Sequence, residues 1–202
     1  LASSVLVAKE IKHWHIGTVI SLIAGGCIAY VITVMSPAET PNTWWFIILS
    51  GAIAICAMIL PGISGAFILL LMGKYSYILG AVSSLNIGVM LLFIVGAVAG
   101  IISFSHLLSW LLKKHHTATV ATLTGFMVGS LNKVWPWKET LETYTDSHGV
   151  VRPLVEANVS PHYFQELTQS DPLLVEAIVM CIVGFVLIYG IEFIGKKMQK
   201  QQ

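Results

Sequence analysis

Residues 58–73 read Met-Ile-Leu-Pro-Gly-Ile-Ser-Gly-Ala-Phe-Ile-Leu-Leu-Leu-Met-Gly. A helix breaker stands here between two apolar runs. Pro61 cannot donate a backbone hydrogen bond, and Gly62 and Gly65 hold a helix poorly. In hydrocarbon, freed backbone groups are tolerated only where protein or a water-filled cavity surrounds them. The break therefore marks a place where something polar enters the membrane. Discontinuous helices at mid-depth are a common signpost of a transport site.

The rest of the 202-residue chain fits a membrane setting. Apolar residues make up 56% and charged residues 10%, against about a quarter charged in soluble domains. A formal net charge of +1 argues against a nucleic-acid partner and against any general attraction to polyanions. Cys27, Cys56 and Cys181 lie inside apolar segments without a CxxC pair, and read as small buried hydrophobes rather than a disulfide framework or zinc site. The chain opens at Leu1 with no initiator Met and no signal-peptide pattern, and residues 1–8 look like the tail of an earlier span. The expectation is the C-terminal part of a longer membrane protein, with 1–202 forming one transmembrane domain.

Apolar runs place spans at about 16–35, 87–112, 117–134 and 173–195, the longer ones matching the ~20 residues that cross a bilayer core. Residues 44–60 run up to Pro61, apolar character resumes at 66–72, and 76–86 is mixed. The polar stretch 135–172 is the one sizeable extramembrane loop. All six tryptophans (Trp14, Trp44, Trp45, Trp110, Trp135 and Trp137) fall at predicted span ends, the pattern of an aromatic belt.

Basic residues set the orientation. Lys9 and Lys12 precede the first span, Lys113 and Lys114 follow the long third one, and Lys196, Lys197 and Lys200 follow the last. The positive-inside rule puts all three clusters in the cytoplasm. A single kinked crossing at 44–73 would send Lys113 and Lys114 outside. A re-entrant hairpin over 44–80, with Pro61–Gly65 at its tip, satisfies the rule and is the expected arrangement. It places 135–172 outside, together with Lys74, Lys133, Lys138 and Arg152.

The polar residues then take roles. At the tip, Ser64 offers a hydroxyl, and the N–H groups of 62–65 would be unpaired at a helix start, a nest suited to an anion such as phosphate. The alternative is a structural kink with Ser64 bonded back to its own helix. Lys74 either attracts a phosphate headgroup or snorkels to the interface, and Arg152, the only arginine, faces either an anionic headgroup or water. Glu176 sits in a first helical turn, where the dipole welcomes a carboxylate, and Glu192 precedes Lys196 by four residues, an ion-pair spacing. Structural roles suffice for both, although Glu176 and His106 could also carry protons. Gly96–Gly100 and Gly125–Gly129 are GxxxG patterns, serving either a homo-oligomer seam or tight packing within one subunit.

Enzyme motifs are missing from the sequence. Arg152–Pro153 matches one element of membrane lipid phosphatases, but Thr145 stands where such a motif needs Lys. His13 and His15, His115 and His116, and Asp146 with His148 have no credible further ligands, so neither metal nor cofactor is implied.

Three stretches are distinctive in combination: Ile59-Leu60-Pro61-Gly62-Ile63-Ser64-Gly65-Ala66-Phe67-Ile68-Leu69, then Gly73-Lys74-Tyr75, and Gly125-Phe126-Met127-Val128-Gly129-Ser130-Leu131 leading into Trp135-Pro136-Trp137. Over roughly 40–137 the chain resembles the bacterial polyprenyl-phosphate transporters of the PopT type. The resemblance implies an all-α, polytopic protein of the bacterial cytoplasmic (inner) membrane that returns undecaprenyl phosphate across it for reuse in cell-wall synthesis. It also implies two inverted repeats, each with a re-entrant hairpin and a PGxSG-type tip, of which one tip is present here. Pro61, Gly62, Ser64, Gly65 and Lys74 are then the substrate-binding candidates, with no covalent chemistry required. Rival readings are a small-molecule or ion transporter on the same plan, a membrane-embedded enzyme acting on a lipid phosphate, and a scaffolding subunit.

Overall fold

Two tightly packed helix pairs organise the computed structural model, which describes residues 2–11, 14–145 and 149–199. Lys12, His13, Asp146, His148 and Lys200, and the side chains of Arg152, Lys196 and Lys197, lie outside the described residues. The helices are α1 (Ala2–Lys9), α2 (Ile16–Val34), α3 (Trp44–Ile59), α4 (Gly65–Leu71), α5 (Tyr75–Ser83), α6 (Ile87–Lys114), α7 (His116–Gly129), α8 (Leu131–Val134), α9 (Pro161–Thr168) and α10 (Leu174–Gln199). A two-stranded hairpin, β1 (Lys138–Thr145) and β2 (Val151–Asn158), lies between α8 and α9.

The fold is that of an all-α, multi-pass membrane protein. Among the described residues, three stretches are long and apolar enough to cross a bilayer: Ile16–Val34, Ile87–Lys114 and Leu174–Gly195. Their outward faces carry exposed Ile20, Ile23, Val98, Ile102, Met180 and Val186, as lipid contact requires.

Between the helices the contact surface is made of small residues, because lipid tails offer no hydrophobic drive and close approach must supply the attraction. α2 packs on α7 and α3 on α6. A methyl group on Gly125 would come within 2.1 Å of the Leu22 carbonyl oxygen, and one on Gly96 within 1.9 Å of that of Ile48. Ser50 and Thr124, buried at these seams, return their hydroxyls to Ile47 and Val120 of their own helices, so no polar group is stranded. Both GxxxG faces are thus filled from within the chain, the tight-packing alternative.

Four features differ from the sequence expectations. The region 135–172 is not simply a loop: Thr, Tyr and Val residues pair as an antiparallel hairpin with register shifts between Thr140 and Thr143. Pro153 is accommodated because each strand of a two-stranded sheet keeps one free edge. The span expected at 117–134 ends as a helix at Gly129 and continues as the short α8. The second arm of the expected hairpin, 62–80, is itself broken, and α4 and α5 diverge by 110°. Finally, Cys27 and Cys181 are exposed on helix surfaces rather than buried, and only Cys56 is partly enclosed.

Candidate functional site

The tip is built by the failure of α3 to continue. Leu60 closes that helix through its N–H to Cys56 O at 3.3 Å, and Pro61 has no N–H with which to extend it. Gly62 then adopts φ +93°, open to glycine but strained for other residues. Ser64 follows in an extended conformation as the N-cap of α4. At Gly65 the chain has already folded back: a methyl group there would lie 2.6 Å from both Ala54 O and Met58 Cγ of α3.

Ser64 is exposed, and its hydroxyl makes no capping hydrogen bond. The alternative in which Ser64 is spent on its own helix start is therefore not what the structure contains. Gly62 is likewise exposed, whereas Pro61 is half-buried and Gly65 buried. These four residues come together at one place.

A partner that sequence reasoning missed is Ser130. A methyl group on Gly62 would lie 2.3 Å from Ser130 Oγ and 3.2 Å from Met127 Cα, so the tip rests directly on the end of α7. Ser130 is buried and donates to Met127 O at 3.0 Å. Its one sequence signal was its place in the Gly129-Ser130-Leu131 motif. The two motifs farthest apart in the resemblance thus touch in space.

Lys74 stands at the other end of α4, ten residues beyond Ser64, and is fully enclosed, with 0% exposure. Gly73, at φ +62°, ends α4 in a Schellman turn: Gly73 N donates to Leu70 O (2.9 Å) and Lys74 N to Leu69 O (2.8 Å). The connection between α2 and α3 packs on this corner. Ala38 N donates to Leu71 O, and Thr40 Oγ1 donates to Met72 O. In return Lys74 Nζ donates to Thr40 O and to Asn42 Oδ1, both at 2.6 Å, with the Phe46 ring 5.4 Å away. Its charge is satisfied inside the protein rather than at the interface.

On the side of α4 beyond the tip, a cavity of about 260 Å³ is lined by Ala66, Phe67, Leu70, Tyr75 and Tyr144. Lys133 Nζ lies 4.8 Å above the Phe67 ring. Lys133 and Lys138 both reach Glu156 Oε2, at 3.0 and 3.2 Å. Burial pushes the Glu156 carboxyl up, but the hydrogen bonds and charges of the two lysines outweigh it and hold the group below the ordinary glutamate value.

The remaining candidates are elsewhere. His106 is exposed on α6 and its Nδ1 lies 2.8 Å from Ile102 O of its own helix. Glu176 is in the first turn of α10, lining a surface cavity with Trp137 and Phe164. Neither approaches the tip through any described contact.

The chain belongs to the undecaprenyl phosphate translocase-like family, whose family model matches residues 1–152. It is similar to a polyprenyl-phosphate transporter of Vibrio cholerae, 44% identical over 94% of this chain and 61% of the relative. It is also similar to a polyprenyl-phosphate transporter of Staphylococcus aureus, 35% identical over 57% of this chain and 46% of that protein. The chain therefore spans about three-fifths and under half of the lengths of these relatives. No solved structure matches it.

Proposed function

We propose that the protein carries undecaprenyl phosphate across the bacterial cytoplasmic membrane, returning the carrier lipid for envelope synthesis. Moving a phosphate headgroup through hydrocarbon unaided is costly, because an ion loses its hydration with nothing in exchange. The tip lowers that cost with exposed dipoles. The Ser64 hydroxyl and the backbone amides from Gly62 to Ser64 hold the headgroup, while Pro61 keeps the helix from closing over them and the buried Gly65 lets the chain fold back against α3. The polyprenyl tail stays in the bilayer throughout. Lys74 contributes positive potential from the far end of α4, its ammonium held by Thr40 and Asn42. No bond is made or broken, so the protein acts as a transporter and not as an enzyme.

In this arrangement residues 44–80 form a re-entrant element, the clusters around Lys9 and Lys113 face the cytoplasm, and the β1–β2 hairpin lies outside. The observation that carries the proposal is the uncapped, exposed Ser64 at a helix break between apolar segments. Ser64→Ala is expected to reduce polyprenyl-phosphate transport in proteoliposomes several-fold while leaving thermal stability unchanged. Full transport at matched protein content would remove Ser64 from the site. Release of inorganic phosphate by the wild type would instead favour an enzyme, and ion flux without lipid movement a different cargo.

A further inference from the structure

Lys133, Lys138 and Glu156 form a charge cluster that the tip does not explain. Two ammonium groups converge on a single carboxylate oxygen, Glu156 Oε2, at 3.0 and 3.2 Å. Lys138 Nζ also donates to Lys133 O at 2.9 Å, which draws the two lysines together. The trio carries one more positive than negative charge. All three side chains remain reachable from solvent, with relative exposures of 34% for Lys133 and 20% for Lys138 and Glu156.

Position gives the cluster its meaning. Lys133 lies one helical turn beyond Ser130, the residue on which Gly62 rests. Its ammonium sits 4.8 Å above the ring of Phe67, itself three residues beyond Ser64. Two separate contacts, Gly62 with Ser130 and Phe67 with Lys133, therefore join the cluster to the tip along one face. The step between them is roughly one helical turn, about 5 Å.

We infer that Lys133 and Lys138 form a reception site for the phosphomonoester of a lipid, with Glu156 as the resident anion that the phosphate displaces. A phosphomonoester carries about −1.5 to −2 charge near neutral pH and three acceptor oxygens. It satisfies two ammonium groups more fully than one shared carboxylate oxygen does. Glu156 keeps the lysines paired and pointed while the site is empty. From there the headgroup passes over Phe67 to the tip. This inference rests on the transport function proposed above and adds a first stop to it.

The test uses the purified protein in nanodiscs, with a short-chain polyprenyl phosphate, the corresponding polyprenol and inorganic phosphate as probes. The double variant Lys133→Gln, Lys138→Gln is expected to bind polyprenyl phosphate about tenfold or more weakly, the scale of losing two charge-assisted hydrogen bonds. Glu156→Gln is expected to bind it about three- to tenfold more tightly, since the competitor is gone and both lysines stay. A gain of affinity cannot come from misfolding, and a purely structural ion pair predicts none. Unchanged or weaker binding by Glu156→Gln, in a wild type that prefers the phosphate lipid over polyprenol, would overturn this inference alone. A wild type without that preference would overturn the transport proposal, and this inference with it. Inorganic phosphate competing as well as the lipid at equal concentration would overturn the lipid as the source of the headgroup.

Discussion

Replacing Gly62 with alanine probes the joint between tip and α7 most directly. Two costs are readable from the structure. At φ +93° an L-residue is strained, by about 1–2 kcal/mol in left-handed conformations. The new methyl would also meet Ser130 Oγ at 2.3 Å, Ser130 Cβ at 3.1 Å and Met127 Cα at 3.2 Å. The hydroxyl can rotate away, but it then gives up its bond to Met127 O, worth about 0.5–1.5 kcal/mol. Met127 Cα is backbone and must shift with α7. Together these give a destabilisation of about 2–4 kcal/mol. The assay is denaturant unfolding in mixed micelles, arranged as a double-mutant cycle with Ser130→Ala. Removing the hydroxyl relieves the closest clash but not the backbone strain, so a coupling of about 1 kcal/mol between the two sites is expected. Wild-type stability in Gly62→Ala, or strict additivity in the double variant, would refute the contact between tip and α7.

Three other outcomes follow from the same geometry. Asn42→Ala takes one of two acceptors from the enclosed Lys74 ammonium, and should cost about 1–3 kcal/mol in the same unfolding assay; an unchanged midpoint would mean that the corner at Gly73–Lys74 does not depend on the α2–α3 connection. Because Lys133 and Lys138 hold the Glu156 carboxyl below its ordinary value, its stabilisation is fully present above the unfolded value, about pH 4.3, and fades as pH falls through the lower folded value. Glu156→Gln should remove that acid-sensitive component, and identical acid profiles for the two proteins would contradict the pairing. Single cysteines at positions 9 and 114, introduced in a background without native cysteines, should label from the same side of the membrane; labelling from opposite sides would break the re-entrant arrangement.

The spans were legible because lipid exposure forces long apolar runs, and α2, α6 and α10 start and stop within a few residues of where hydropathy places them. The break was legible for an equally local reason: Pro61 and Gly62 act on their own backbone. What the sequence concealed was long-range. Ser130 lies 66 residues beyond Ser64, and nothing in its immediate neighbours points to Gly62. The enclosure of Lys74 depends on Thr40 and Asn42, more than thirty residues upstream. The β-hairpin was concealed differently. Thr140, Thr143, Tyr144, Val151 and Val155 favour strands, and Asp146–Gly149 reads as turn chemistry. The high proportion of charged residues around them masked that pattern as a solvated loop.

The distribution of charge along this face also bears on how a carrier lipid could be moved rather than merely held. The tip presents a hydroxyl and backbone dipoles, and the nearest lysine on its own segment is turned inward to Thr40 and Asn42 at the far end of α4. Full charges meet solvent at Lys133 and Lys138, where Glu156 already offsets one of them. Passage requires binding favourable enough to enter yet weak enough to leave. An ammonium group fixed at mid-membrane would meet a phosphate in low dielectric, where an ion pair is strong and release correspondingly slow. Under the proposed function, dipoles at the break and a partly neutralised lysine pair at its margin would keep both steps shallow, so the same features that make the helix fail at Pro61 would make the path reversible.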